Sequence, residues 1–235
     1  MSVEREGVVE LLAELHLSVC NPFFATFVES DMKNSNMNAL YVWQSGLLMG
    51  NRDYYIEEAN AAIKGGYELY LQQILKLAGL SEEQAVRGAA ATVVVEDEIA
   101  KISRSNVALR DMAACYNPMP IADVKRSYDA IDWEAYFKIL GVETPQTLIV
   151  GQPEVMALYN NLLKSLTIDQ IRYYLAAHYI NAASGYLSDD FYAANFDFYG
   201  RQMSGKQEPR PRWKRAMATT DGAFQMAVGK MYVDK

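Results

Sequence analysis

The chain has 235 residues, of which 51% are hydrophobic and 22% are charged, a balance typical of a folded globular protein with a sizeable core. The formal net charge of −7 argues against a dedicated nucleic-acid-binding protein, because such a protein needs clustered lysine and arginine to neutralise phosphates. The longest uncharged apolar runs, such as residues 89–95, fall far short of the roughly 20 residues that a transmembrane helix needs. The charged first residues also do not resemble a secretory signal peptide.

The first predicted elements are a short helix and a β-hairpin. Four apolar residues at the spacing of one helical face indicate the helix, namely Val8, Leu11, Leu12 and Leu15. Two aromatic and β-branched runs, residues 23–28 and 38–44, flank a polar stretch at residues 31–36. This pattern predicts a β-hairpin with a long turn.

The next two predicted elements are long amphipathic helices. The first is expected to run from Ile56 to about Gly79, with Ile63, Tyr67, Tyr70, Ile74 and Leu77 on its apolar face. Residues 81–84 are Ser-Glu-Glu-Gln, a capping box that predicts the start of the second helix. The inward positions of that second helix are predicted to be Val86, Ala90, Val93 and Ala100.

Two further helices are predicted in the second half of the chain. One covers residues 167–186, with Ile168, Ile171, Leu175, Tyr179, Ala182 and Tyr186 on one side. The last follows Pro209 and Pro211 and carries a stripe of Trp213, Ala216, Thr220, Phe224, Val228 and Met231. No Gly/Ser linker or charge block separates two domains. The predicted fold is therefore a mainly α, multi-helix single domain over residues 1–235, with one small β-hairpin near the N-terminus.

Side chains that commonly perform catalysis are sparse. The only histidines, His16 and His178, each lack a carboxylate or second histidine one helical turn away, whereas a zinc site takes three or four ligands. We therefore predict that His178 is a satisfied interior or boundary histidine. Residues 96–98, Glu-Asp-Glu, fan around a helix and are predicted to form a solvated or salt-bridged face. No catalytic, cofactor-binding or metal-binding residue is predicted in this chain.

Three other features have ordinary structural interpretations. Cys20 and Cys115 have no CxxC or CxxH context and are predicted to be buried free thiols, with one disulfide left open. The basic residues 206–215 are predicted to form a solvated connector in which Trp213 anchors the following helix, with an anion or partner site as the alternative. The sixteen tyrosines are expected at the core boundary, each hydrogen-bonded through its hydroxyl.

A set of short motifs occurs in a fixed order along the chain. The stretch LLMGNRDYY at residues 47–55 introduces a long helix through a glycine turn and an Arg-Asp-Tyr-Tyr sequence. It is followed by VEDEIAKIS at 95–103, YNPM at 116–119, IDWEAYF at 131–137, RPRWKRA at 210–216 and AVGKMYVDK at 227–235. Together with the hairpin, this set resembles the neprilysin and endothelin-converting-enzyme family of zinc metallopeptidases over about residues 23–235.

The resemblance implies that the chain is part of the N-terminal helical lobe of a neprilysin-like peptidase. In that family this lobe caps a zinc-bearing C-terminal lobe, encloses a peptide chamber and restricts the size of substrates. The family's HExxH motif and downstream glutamate ligand have no counterpart in the sequence. None of the family's catalytic or zinc-binding residues can therefore be carried over to this chain.

The expected zinc lobe, the peptide partner and the location follow from the resemblance alone. Zinc is expected only in the catalytic lobe, which is expected to be missing from this chain as in an excised fragment. The expected partners are that C-terminal lobe and peptide substrates, with no nucleic acid and no transmembrane segment in the chain. A periplasmic, cell-surface or secreted location is implied, and the two cysteines suggest a bacterial-type member.

Two hypotheses remain open at this point. The first is a fragment of a metalloendopeptidase that is inactive without its catalytic lobe. The second is a stand-alone helical binding or adaptor module without protease activity. In either case the Arg-Asp-Tyr-Tyr sequence is predicted to be structural, with Asp53 as a helix N-cap and Arg52, Tyr54 and Tyr55 pinning the loop to neighbouring helices.

Overall fold

The structure is a computed structural model that describes residues 7–18 and 20–234. The helices in these residues are α1 (Val8–Ser18), α2 (Asp53–Ile56), α3 (Ala61–Leu77), α4 (Glu82–Ile102), α5 (Ile121–Ser127), α6 (Trp133–Ile139), α7 (Pro153–Ser165), α8 (Ile168–Ala183), α9 (Asp189–Asn195) and α10 (Arg212–Val233). The strands are β1 (Phe24–Asp31), β2 (Asn34–Gln44), β3 (Pro118–Pro120) and β4 (Thr147–Val150). The predicted mainly α class is confirmed.

The chain divides into two compact units, Met1–Asn195 and Phe196–Lys235. The first unit contains α1 to α9 and all four described strands. The second contains a π-helical turn, Phe196–Gln202, followed by α10. A single domain over residues 1–235 stays a prediction.

The four strands form one sheet in the order β1-β2-β4-β3. Strands β1 and β2 are an antiparallel hairpin, as predicted, but only Met32 and Lys33 separate them. The turn is shorter than expected because the Asp31 carboxylate accepts hydrogen bonds from the amides of Lys33 (2.8 Å) and Asn34 (3.2 Å). Strand β4 pairs in parallel with β2 and antiparallel with β3, and neither β3 nor β4 was predicted.

The core of the first unit is rich in aromatic side chains. Helix α1 buries Val8, Leu12 and Leu15 against it, which confirms the predicted apolar face. The largest fully buried side chains of this unit are Trp133, Tyr41, Tyr67, Tyr136, Tyr159, Tyr174, Phe23, Phe24, Phe137, Leu12 and Leu71. Each apolar side chain buried in this way stabilises the fold by about 1.5–3 kcal/mol, which makes the sheet and its surrounding helices a firm scaffold.

The predicted long helix from Ile56 is interrupted, and this prediction of its start was wrong. Ile56 ends the short helix α2, the backbone at Glu57 is extended, and a 3₁₀ turn precedes α3. The Asn60 side chain donates to the carbonyl of Asp53 at 2.9 Å and so stabilises the break. The predicted end is confirmed: α3 stops at Leu77, and Gly79 has a φ of +96°, a conformation that glycine adopts without strain.

The buried face of α4 differs from the predicted one. The capping box is confirmed, because the Ser81 side chain accepts from the Gln84 amide and the Gln84 side chain accepts from the Ser81 amide. Of the predicted inward residues, Ala100 is buried but Val86 and Ala90 are exposed. The buried residues are Ala85, Gly88, Ala89, Thr92, Val95, Glu96, Ile99 and Ala100. The apolar pattern did not predict this buried face because two of its residues, Thr92 and Glu96, are polar.

Helix α8 shows the same kind of deviation. The predicted start is confirmed, because Thr167 is the N-cap, but the helix ends at Ala183, and Tyr179 and Tyr186 are exposed. Its buried residues are Ile171, Tyr174, Leu175, Ala177 and His178. Tyr174 and His178 carry polar groups, so a prediction based only on apolar residues did not identify the buried face correctly.

Helix α10 is present as predicted but has no buried residue among those the structure describes. Trp213, expected to anchor the helix, is 61% exposed, and Phe224, where the backbone departs from helical geometry, is 63% exposed. The other exposed large apolar residues of α10 are Met217, Met226, Met231, Tyr232 and Val233. The preceding connector, residues 206–211, is exposed throughout, in keeping with its predicted solvation.

Across the described part of the chain, none of the helices combines the length and apolarity that a membrane crossing requires.

Candidate functional site

Glu96 on α4 is a fully buried carboxylate at the centre of a polar cluster. One of its oxygens, Oε1, accepts a hydrogen bond from the Leu48 amide at 2.9 Å. The other, Oε2, accepts from the hydroxyls of Tyr55 (3.1 Å) and Tyr67 (2.6 Å). A buried carboxylate is tolerated only when such donors replace its hydration. The prediction that Glu96 lies on a solvated face was therefore wrong.

The two acidic residues that follow Glu96 do face outward. Asp97 is partly exposed and pairs with Lys64 of α3 at 2.6 Å. Glu98 is half-exposed and pairs with Lys101 one turn along the same helix. The acidic triplet is thus divided, with two surface carboxylates and one core carboxylate.

His178 of α8 lies next to Glu96 inside the first unit. Its ring packs against Tyr174 at a centroid distance of 4.3 Å, and its side chain is 4% exposed, so the predicted interior position is confirmed. Its Nε2 lies 3.3 Å from Glu96 Oε1 but without hydrogen-bond alignment, and it has no hydrogen-bond partner within the described residues. The histidine is therefore interior, as predicted, but the prediction that its hydrogen bonds are satisfied does not hold for Nε2 within the described residues.

Buried tyrosine hydroxyls hold the segment from Ser45 to Met49, which runs past Glu96. Tyr159 accepts from the Ser45 amide (3.1 Å) and donates to the Ser45 carbonyl (3.0 Å). Tyr174 donates to the Gly46 carbonyl, and Tyr55 accepts from the Met49 amide, both at 3.0 Å. Burial raises the pKa of the Tyr159 and Tyr174 hydroxyls, which therefore remain protonated donors.

Glycine is required at position 46. Its φ is +83°, and a Cβ there would lie 2.5 Å from the Tyr174 hydroxyl oxygen and 2.7 Å from the Phe23 nitrogen. Phe23 itself has a φ of 61°, and its amide donates to the same Tyr174 hydroxyl at 3.0 Å. Tyr174 therefore joins the start of β1 to the segment after β2.

The tyrosines are more deeply placed than expected. Those buried in the first unit are Tyr41, Tyr55, Tyr67, Tyr70, Tyr128, Tyr136, Tyr159 and Tyr174. Their hydroxyls are hydrogen-bonded, as predicted, but the rings belong to the core rather than to its boundary. A buried tyrosine contributes both apolar area and one polar contact, which suits a core that must hold polar loops.

The Arg-Asp-Tyr-Tyr sequence is structural, but not through the predicted cap. Arg52 Nη1 donates to the Ser103 carbonyl at the end of α4 at 2.5 Å, and Tyr55 reaches Glu96, so both pin the loop as expected. Asp53 is the first residue of α2 rather than its N-cap, and its amide donates to Asn51 Oδ1 at 3.2 Å. The capping prediction for Asp53 was wrong because Asn51 supplies that oxygen.

A cleft of about 260 Å³ opens beside His178. Its described lining consists of Cys20, Asn21, residues 45–48, His178, Asn181 and Ala182. We call it the His178 cleft. Burial raises the pKa of the Cys20 thiol to about 11, so this cysteine is a neutral group there. Both Cys20 and Cys115 are free and buried, as predicted.

His16, the second histidine, is held in the neutral state. Its Nδ1 lies 2.6 Å from the Tyr136 hydroxyl and its Nε2 lies 3.0 Å from the Pro22 carbonyl oxygen. A neutral ring with its proton on Nε2 donates to the carbonyl and accepts from the tyrosine. Burial lowers the pKa of His16 from 6.5 to about 4, although the bond to Pro22 opposes this shift.

Metal binding finds no support in this part of the chain. In residues 7–18 and 20–234, no three His, Cys, Asp or Glu side chains come together in a group that could hold a metal ion. The buried pair of Glu96 and His178 offers two such groups, whereas zinc sites in proteins take at least three. The described residues therefore do not fit a zinc centre.

Comparison with known proteins gives a consistent assignment. A family model described as "Peptidase family M13" matches residues 2–235. Endothelin-converting enzyme 1 of Rattus norvegicus is 28% identical over 219 residues, covering 91% of this chain and 29% of the relative. Neutral endopeptidase of Lactobacillus helveticus is 27% identical over 212 residues, covering 90% of this chain and 33% of the relative.

Solved structures agree with the sequence comparison. The zinc metalloprotease ZMP1 of Mycobacterium tuberculosis in an open state has a TM-score of 0.92 and 26% identity, covering 100% of this chain and 37% of that one. Its complex with an inhibitor gives a TM-score of 0.93 at 26% identity, covering 100% and 36%. The chain thus spans about a third of the length of the relatives it matches. The resemblance drawn from the short motifs is confirmed, and this chain belongs to peptidase family M13.

Proposed function

We propose that this chain is the N-terminal cap lobe of a zinc-dependent metalloendopeptidase that hydrolyses peptides. The match of residues 2–235 to peptidase family M13 carries the proposal. The relatives named above include an endopeptidase, a converting enzyme and a zinc metalloprotease, and in each of them most of the length lies beyond the matched part. The zinc, its ligands and the catalytic base would belong to that further part, because the described residues present no group that fits a metal.

In this proposal the lobe walls the peptide chamber and limits the size of the substrates that enter. A wall that selects by size must keep its shape, and the interior of the first unit is suited to that. The backbone from Ser45 to Met49 is held by hydroxyls and by the Glu96 carboxylate, all of them buried. A buried polar network whose members are paired favours one arrangement over alternatives.

Helix α10 supports the proposed partner, a catalytic lobe of the same parent protein. Its large apolar side chains are exposed in the described structure, Met226 by 86% and Tyr232 by 85%. Several large apolar side chains exposed on one helix are a common feature of protein–protein contacts. We propose that this helix contacts other parts of the parent protein and that the parent acts outside the cytoplasm, a location supported by the family resemblance alone.

The test is the reading frame beyond codon 235. An HExxH sequence within the next few hundred codons, followed by a glutamate ligand, is the expected result. A stop codon directly after Lys235 would overturn the peptidase proposal and favour the stand-alone binding module. A second test uses the parent enzyme: a short quenched peptide should be cleaved, whereas the same sequence placed within a folded protein should resist.

A further inference from the structure

Helix α10 carries a narrow line of side chains whose spacing is typical of a contact between two helices. Trp213, Met217, Thr220 and Phe224 follow one another at intervals of four, three and four residues. This alternation places them along one side of the helix, as at the seam of a coiled coil, and we call them the α10 seam. All four are exposed, Trp213 by 61%, Met217 by 55% and Phe224 by 63%. The α10 seam is therefore open to a second helix.

We propose that a second copy of this chain covers the α10 seam, with the two α10 helices antiparallel. In a symmetric pair the same surface must be complementary to itself, and each contact occurs twice. The antiparallel register that places Trp213 opposite Phe224 of the second copy also places Met217 opposite Thr220 of that copy. Each aromatic ring then meets a ring, and the long Met217 side chain meets a small one.

One flank of the α10 seam allows the two helices to approach closely. Ala216 and Ala223 directly precede Met217 and Phe224 and lie along the same side of the seam. In the proposed register Ala216 faces Ala223 of the second copy, so no long side chain separates the two backbones on this flank. A close approach increases the number of van der Waals contacts along a short segment.

The other flank supplies complementary charges. Lys214 and Asp221 directly follow Trp213 and Thr220, and the Lys214 Nζ lies 5.4 Å from the centroid of the Trp213 ring. In the proposed register Lys214 of each copy faces Asp221 of the other, which gives two attractive pairs. None of the ion pairs among the described residues uses either side chain. Both charges are therefore available for a contact between copies.

Charge and backbone geometry disfavour a longer antiparallel register. Sliding one helix by a heptad would place Trp213 opposite Met231 of the second copy and use most of α10. It would also place the Asp221 side chains of the two copies opposite each other, where like charges repel. In addition, the backbone at Phe224 has φ −121° and ψ 28°, so a seam that continues past it does not stay straight. The proposed register ends at Phe224 and avoids both problems.

The expected association is weak and independent of the peptidase proposal. The paired segment covers only residues 212–224 of each copy, and short interfaces fall below the area of a standard stable one. We expect a dissociation constant on the order of 100 µM. In a parent enzyme, a catalytic lobe in contact with α10 would compete with the second copy. Failure of the pairing would therefore leave the proposed contact with that lobe untouched.

The experiment compares two charge variants of the full chain by sedimentation equilibrium. Lys214→Asp leaves two aspartates on the charged flank and Asp221→Lys leaves two lysines, so each variant should self-associate about tenfold more weakly than the wild type. An equal mixture of the two variants regains both attractive pairs, and its association should return to the wild-type level. Both side chains are exposed, so neither change should alter folding, which circular dichroism checks.

Three further variants locate the contact and its register. Met217→Ser lies in the α10 seam and should weaken association about tenfold, whereas Met226→Ser, at a side chain that is 86% exposed on the opposite side of the helix, should not. Asp221→Asn removes an attraction in the proposed register and should weaken association. In the longer register the same substitution would remove a repulsion and strengthen it.

Several results would overturn the proposal. One is a wild-type chain that stays monomeric up to about 1 mM, which would leave the α10 seam to other parts of the parent protein. Another is a mixture of the two charge variants that associates no more tightly than each variant alone. A third is an equal loss in Met217→Ser and Met226→Ser, which would place the contact elsewhere, and a fourth is tighter association of Asp221→Asn.

Discussion

Helices α4 and α10 have nearly the same length, 21 and 22 residues, yet differ completely in burial. Helix α4 buries eight residues, including a carboxylate, whereas none of the described residues of α10 is buried. Both helices are predicted from local signals, a capping box in one and a proline followed by an apolar stripe in the other. The difference shows that local sequence specifies a helix, while burial depends on what lies beside it.

The two helices also differ in their structural roles. Helix α4 organises an interior through Glu96, which fixes a loop of a different part of the chain. Helix α10 presents apolar side chains outward and is suited to contact another surface. Substitutions in α4 should therefore affect folding, whereas substitutions in α10 should affect association.

The largest effect is expected at Glu96. Replacing it by alanine leaves the Leu48 amide and the hydroxyls of Tyr55 and Tyr67 without their common acceptor. We expect a loss of about 3–5 kcal/mol in the free energy of unfolding, measured by urea denaturation. Glu98→Ala, on the exposed side of the same helix, should change it by less than about 0.5 kcal/mol. Equal losses in the two variants would show that the Glu96 cluster does not stabilise the fold.

A matched pair of apolar substitutions compares the two helices directly. Ile99→Ala removes a fully buried side chain from α4 and should cost about 2–5 kcal/mol in the free energy of unfolding. Met226→Ala in α10 removes a side chain that is 86% exposed and should cost less than about 0.5 kcal/mol. A large loss for Met226→Ala would mean that α10 is packed in solution.

His16 extends the comparison to pH. Its pKa is lowered from 6.5 to about 4 by burial, so the unfolded chain binds a proton more readily than the folded one. Its contribution to stability is therefore complete above pH 6.5 and is lost as the pH falls towards 4, by about 3 kcal/mol in total. Urea denaturation at several pH values measures this slope.

The control for this effect is His16→Gln, which cannot titrate in that range. The variant should show a flatter dependence of unfolding free energy on pH between 6.5 and 4, whatever its stability at neutral pH. Identical slopes in the variant and the wild type would assign the acid sensitivity to other groups.

The smallest effects concern helix starts. Ser81→Ala removes the cap of α4 and should cost about 1 kcal/mol in thermal or urea unfolding. Asp53→Ala should cost less than about 0.5 kcal/mol, because Asn51 rather than Asp53 supplies the oxygen that accepts at the start of α2. A larger loss of stability for Asp53→Ala than for Ser81→Ala would instead support the capping role that the sequence predicted for Asp53.

The parts of the fold that sequence predicted depend on neighbouring residues. The capping box at Ser81, the β-hairpin and the start of α10 involve contacts within a few positions. The pairing of β3 with β4 was missed because strands of three and four residues are too short to show an alternating pattern.

The candidate site was missed for a different reason. Glu96 accepts hydrogen bonds from three residues that lie 48, 41 and 29 positions away from it in sequence. No local sequence pattern indicates partners at such distances. An acidic residue in a helix is usually exposed, so we predicted that Glu96 lies at the surface. The one available signal was the Arg-Asp-Tyr-Tyr sequence, because its second tyrosine is one of the donors to Glu96.

We propose that this chain shapes a peptide chamber and does not cut peptides itself. The most direct measurement incubates the purified chain with zinc and an internally quenched peptide and follows fluorescence. The account predicts no hydrolysis above the buffer rate. Turnover that persists through gel filtration of the chain, and that a chelator abolishes, would contradict it.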